Sequence, residues 1–87
     1  MRYRIVIKAS AAKVLEKLPE NITARIERRI DALADDPRPS GVVKMHGDSN
    51  LWCIRVGDYR LVYEIHDREI TLYVLAIGHR REVYRGF

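Results

Sequence analysis

Arg55 and Arg60 flank the dipeptide Gly57-Asp58, which lies between two runs rich in β-formers. Glycine at the first of two loop positions suits a type II′ turn. A two-residue loop sets Val56 opposite Tyr59, Arg55 opposite Arg60 and Cys53 opposite Val62, so both guanidinium groups leave the sheet on one face. Like charges directly opposed cost energy. The plain reading of such a pair is a solvated face with a counter-charge such as Glu64, and the chemical one is a clamp for an anion. Guanidinium forks match the oxygens of a phosphate. Further on, His79-Arg80-Arg81-Glu82-Val83-Tyr84 places Arg80 and Tyr84 at i and i+4, on one side of a helical turn within reach of Arg60. From Arg55 onward the cations are nearly all arginine, interleaved with Tyr59, Tyr63, Tyr73 and Tyr84. Aromatic rings stack on nucleobases while arginines hold the backbone, so these residue types point to RNA or DNA.

The elements that must position them follow from periodicity. Tyr3, Ile5 and Ile7 alternate with polar residues, as in a half-buried strand. Ser10 is placed to cap a helix whose Ala11, Val14, Leu15 and Leu18 form one apolar stripe, and Pro19 breaks it. A second helix, from about Glu20 to Ala34, carries Ile22, Ile26, Ile30 and Leu33 inward and Arg25, Glu27, Arg28 and Arg29 outward. The run Asp35-Asp36-Pro37-Arg38-Pro39-Ser40-Gly41 is a loop. A short extended stretch, Val42 to Met45, precedes three strands, roughly 50–56, 59–65 and 69–77.

On the hairpin register, Trp52, Ile54, Val56, Tyr59, Leu61, Tyr63 and Ile65 take the face that meets the helices. If parity carries through the turn at Asp67-Arg68, then Ile70, Leu72, Val74 and Ala76 join that face, and Thr71, Tyr73, Leu75 and Ile77 join the arginine face. The expected fold is α+β: an N-terminal strand and a helical hairpin packed on one face of an antiparallel sheet of about four strands.

Composition narrows the class. The 87 residues have room for one domain, 1–87, and 47% hydrophobic with 32% charged residues is a globular balance rather than a disordered one. No apolar run is long enough to cross a bilayer, so no membrane partner is expected. The N-terminus has no secretion signal, and the single Cys53 precludes an internal disulfide, so a cytoplasmic location is expected. Cys53 reads as a small apolar filler. Sixteen Lys and Arg against twelve Asp and Glu give a net charge of +4, which favours an anionic partner.

The segments Trp52-Cys53-Ile54-Arg55-Val56-Gly57-Asp58-Tyr59-Arg60-Leu61-Val62-Tyr63-Glu64-Ile65 and Ile77-Gly78-His79-Arg80-Arg81-Glu82-Val83-Tyr84 resemble the central hairpin and the C-terminal motif of RelE-type toxins of the RelE/ParE superfamily. The order strand, helix, helix, strands extends that resemblance over nearly the whole chain. It implies a toxin of a type II toxin–antitoxin module that binds the A site of the ribosomal 30S subunit and cleaves mRNA there. It also implies a partner antitoxin, RelB-like and encoded adjacently.

Carried over by resemblance, Arg60 is similar to the sheet arginine that holds the scissile phosphate, Arg80 to the arginine after the last strand, and Tyr84 to the stacking or orienting tyrosine. Arg55 matches a basic residue of the preceding strand. In that chemistry the RNA 2′-hydroxyl attacks phosphorus, so the site accepts one proton, donates one and stabilises the phosphorane charge. Arginines serve the last need without a metal, and no cofactor is expected.

The general base stays open, because Cys53 stands where some relatives carry a lysine. His79 is the spare candidate, with an unperturbed pKa of about 6.5. His79, Arg81 and Lys44 are expected to contact RNA. The alternative is a ParE-like toxin that inhibits DNA gyrase and needs no nuclease site; the third reading is an inactive relative that only binds.

Overall fold

The computed structural model describes residues 2–45 and 50–79. Seven elements follow in order: β1 (Arg4–Ile7), α1 (Ala9–Lys17), α2 (Glu20–Asp35), β2 (Val43–Lys44), β3 (Leu51–Val56), β4 (Tyr59–His66) and β5 (Thr71–His79). The strands form one sheet in the order β1-β5-β4-β3-β2. Both helices pack on one face of it, which is the expected α+β arrangement.

The sheet has five strands rather than about four, and it is mixed. β1 runs parallel to β5, pairing Ile5 with Leu72 and Ile7 with Val74, while the other pairings are antiparallel. Tight turns dictate antiparallel neighbours for β3, β4 and β5. No turn joins β1 to its neighbour, so nothing local in the sequence sets its direction.

That pairing also moves the start of α1. The backbone N–H of Lys8 donates to Val74 O at 2.9 Å, ending the β1 ladder there. The helix therefore begins at Ala9 with Lys8 at its N-cap and no side-chain cap, and the expected cap, Ser10, falls inside its first turn. Pro19 separates the helices as expected and becomes the N-cap of α2. Thr23 Oγ1 donates to Leu15 O at 3.0 Å and ties the two helices together.

The core lies between helices and sheet. Ile26, Ile30 and Leu33 of α2 and Ala11 of α1 meet Ile54, Leu61, Tyr63, Ile65, Leu72, Val74 and Ile77, with Val14, Leu15, Leu18 and Ile22 around them. One assignment is corrected: Ile77 is core, and Ala76 packs instead with Cys53 and Val62 on the other face. The cause is a β-bulge. Val62 pairs with Ala76 but Tyr63 pairs with Val74, leaving Leu75 as an extra residue. One inserted residue reverses the alternation beyond it. Among the described residues no helix is long and apolar enough to cross a membrane.

Candidate active site

The β3–β4 hairpin builds the site. Gly57 has φ +60°, and Asp58 is not among the residues of positive φ, which matches the type II′ pattern. The register follows: Arg55 opposite Arg60, Cys53 opposite Val62. On its other side Arg60 faces Gly78 of β5, a residue with no side chain to compete for the space.

The two arginines differ in setting. Arg55 is exposed and its Nε donates to Gly57 O at 3.4 Å, which turns the group toward the hairpin tip. Arg60 is half-buried, and its Nε is shielded from solvent with no hydrogen-bond partner. A buried donor without an acceptor costs about 1–3 kcal/mol. The plain reading of a counter-charge at Glu64 does not hold, because Glu64 engages His66 at 2.9 Å. Among the described residues the ion pairs are Arg2 with Asp31 and Asp35, Arg38 with Asp67, and His66 with Glu64 and Glu69; none involves Arg55 or Arg60. An anion seated between Arg55 and Arg60 would supply both the missing acceptor and the missing charge.

Beneath this pair the open face is apolar: Cys53 and Val62 are buried, with Met45, Leu51 and Ala76 against them. Farther along it His66 meets Tyr73 edge to face at 4.8 Å.

The other expected site residues are placed apart. His79 pairs with Tyr59 across β4 and β5, its ring 5.9 Å from the tyrosine's. Strand alternation puts it on the side of Ile77, opposite to Arg60. Lys44 pairs with Trp52 and sets its ammonium 5.7 Å from the indole centre, also on the helix-bearing side. The structure therefore brings Arg55 and Arg60 together and separates them from Lys44 and His79. Arg80, Arg81 and Tyr84 lie outside the described residues. Among the described residues no group of three or more His, Cys, Asp or Glu side chains could hold a metal ion.

Sequence alone reads Arg25, Arg28 and Arg29 as a wet helix face, with ribosomal RNA contact as the alternative. In the structure they line a cleft together with Arg55, Val56 and Gly57. Their i, i+3, i+4 spacing beside the apolar stripe was the available signal.

Comparison with known proteins places the fold. Residues 5–84 match the family model described as the ParE toxin of the type II toxin–antitoxin system, parDE. The toxin RelE of Mycobacterium tuberculosis is 34% identical over 84 residues, covering 95% of this chain and 87% of the relative. The toxin RelG of the same organism is 31% identical, covering 98% and 99%. Among solved structures, the RelE–RelB complex from Pyrococcus horikoshii OT3 contains a chain that superposes with a TM-score of 0.84 at 28% identity, covering 95% of this chain and all of that one. The isolated Escherichia coli RelE toxin, at 23% identity and a TM-score of 0.78, shares the fold. The chain belongs to the ParE toxin family of type II toxin–antitoxin systems, within the RelE/ParE superfamily.

Proposed function

We propose that this protein is a RelE-type toxin that cleaves messenger RNA in the ribosomal A site without a metal, and that a RelB-like antitoxin silences it. The observation that carries the reading is the half-buried Arg60, whose shielded Nε lacks an acceptor, directly opposite Arg55, with neither arginine in an ion pair among the described residues. A scissile phosphodiester fits that place. The 2′-oxygen attacks phosphorus, the bond to the 5′-oxygen breaks, the 2′-hydroxyl gives up a proton and the leaving oxygen takes one.

In this reading Arg60 and Arg55 clamp the phosphate, and Arg80 stabilises the leaving oxygen by charge, since a guanidinium is a poor proton donor. Tyr84 stacks on a base, while Arg81, Lys44 and His79 contact RNA more peripherally. His79, on the side opposite Arg60, is assigned to RNA contact rather than to proton transfer. The antitoxin is supported by similarity to chains solved as RelE–RelB complexes. The cytoplasm, where ribosomes and messages are, is the proposed location.

The family description supports a second reading, a ParE-like inhibitor of DNA gyrase. Purified protein incubated with programmed ribosomes carrying a defined message and an empty A site, with cuts mapped by primer extension, separates the two. A cut within the A-site codon is expected. An intact message on active ribosomes, with filamentation and blocked replication on induced expression, would transfer the assignment to gyrase.

A further inference from the structure

Helix α2 sorts its charges by side. Asp31 and Asp35 turn to Arg2, and Glu27 borders Ile5, Ile7 and Ile30 near β1. Arg25, Arg28 and Arg29 instead line a cleft of about 350 Å³ with Ala32, Arg55, Val56 and Gly57. Four guanidinium groups thus converge where the helix passes the tip of the β3–β4 hairpin. None of the four takes part in an ion pair among the described residues.

This arrangement is costly unless something anionic enters it. Like charges at i, i+3 and i, i+4 destabilise a helix, and Arg25 stands in that relation to both Arg28 and Arg29. The backbone makes room for them: a Cβ on Gly57 would come within 3.4 Å of the Arg25 guanidinium, so that group lies against the turn. Arg55 belongs to both places. It faces Arg60 in the β3–β4 ladder and also lines this cleft, so the cleft continues the candidate active site around the end of the sheet.

We propose that the Arg25–Arg28–Arg29–Arg55 cleft is a second phosphate subsite, which grips the backbone of an RNA strand next to the phosphate held at Arg60. This rests on the RNA-cleaving reading above. The chemistry favours phosphodiesters: every cation in the cleft is an arginine, whose planar fork engages two phosphate oxygens at once. Two neighbouring phosphates would be shared among four forks. The subsite contributes affinity and not the chemical step, because Arg60 is not among the residues that line it.

The test uses the whole chain carrying Arg25→Gln, Arg28→Gln and Arg29→Gln, three exposed positions, with folding checked by circular dichroism and thermal melting. Binding to a fluorescent single-stranded RNA oligonucleotide and to isolated 30S subunits is measured against salt, apart from any cleavage. The expected result is at least a tenfold rise in Kd for one of the two, with the log–log salt slope reduced by about 1.4, at ~0.7 for each of two phosphates. Loss against the oligonucleotide assigns the subsite to the message, and loss against 30S subunits alone assigns it to ribosomal RNA. A triple lysine variant keeps the charge without the forks and should fall between wild type and the glutamine variant, which also separates binding from any folding defect. Unchanged affinity and slope for both RNAs overturn the proposal. So does weakening that appears only against the antitoxin, which would make the cleft a site for an acidic peptide. Because these readouts need no cut message, they stand or fall separately from the nuclease reading.

Discussion

Arg55 and Arg60 face each other across the β3–β4 ladder, and among the described residues neither takes part in an ion pair. In the free protein this opposition is unfavourable, and under the proposed reading a bound phosphate relieves it. Opposed like charges cost up to about 1 kcal/mol. Arg55→Gln should therefore leave stability unchanged or raise it by a few tenths of a kcal/mol, up to about 1, while slowing A-site cleavage. Urea midpoints beside single-turnover cleavage on programmed ribosomes check both halves. A variant that loses stability and keeps its activity would make Arg55 structural.

Arg60 offers the sharper case because it is half-buried with a shielded, unpartnered Nε. Removing it removes an uncompensated buried donor along with the phosphate contact. Arg60→Ala is expected to lower cleavage by about 10²–10³, as loss of a charge-stabilising donor commonly does, with no large loss of melting temperature. A fully toxic, folded variant would remove Arg60 from the site.

Tyr63 holds the proline-rich loop to the sheet. Its side chain is fully buried in the core and its hydroxyl donates to Pro37 O at 2.8 Å. Tyr63→Phe keeps the ring and loses that bond, which should cost about 0.5–1.5 kcal/mol, or several degrees of melting temperature in a chain of this size. Differential scanning calorimetry of the two proteins checks it, and equal melting temperatures would show that the loop is held by other contacts.

Most of the fold was legible because each signal was local. The proline and apolar stripes marked both helices, and Gly57-Asp58 fixed the hairpin register and hence the Arg55–Arg60 pair. What escaped was non-local: β1's parallel partner, the bulge at Leu75, and the approach of Arg25, Arg28 and Arg29 to Arg55. Periodicity places residues on faces but does not count an inserted residue, which is why Ile77 and Ala76 exchanged places.

The bulge yields a prediction of its own. Ile77 is 5% exposed in the main core, whereas Leu75 is half-buried at the irregularity. Ile77→Ala should cost about 2–5 kcal/mol, and Leu75→Ala clearly less. Equal losses in chemical denaturation would argue against the reversal of faces.

Stability should fall at both ends of the pH scale, with the acid limb traceable to Asp67. Its carboxylate accepts hydrogen bonds from Arg38 Nη2 at 2.9 Å and from Tyr3 Oη at 2.6 Å, and these hold it below the usual carboxylate range, Arg38 contributing most. The unfolded value is about 3.9. A depressed folded pKa means that the unfolded chain takes up the proton first. This contribution is therefore complete above about pH 4–5 and is lost as pH falls through the lower folded value. Asp67→Asn should be less stable than wild type at neutral pH, and the gap should close as pH falls through the lowered folded value.

At the alkaline end the sign reverses. The bond to Asp67 raises the Tyr3 hydroxyl and burial raises that of Tyr63, so their contributions are whole below about pH 10 and decline as pH climbs through the raised values. Urea midpoints for wild type and Asp67→Asn across the acid range decide the assignment. Parallel curves would place the acid sensitivity elsewhere and leave the Tyr3–Asp67–Arg38 cluster without a part in it.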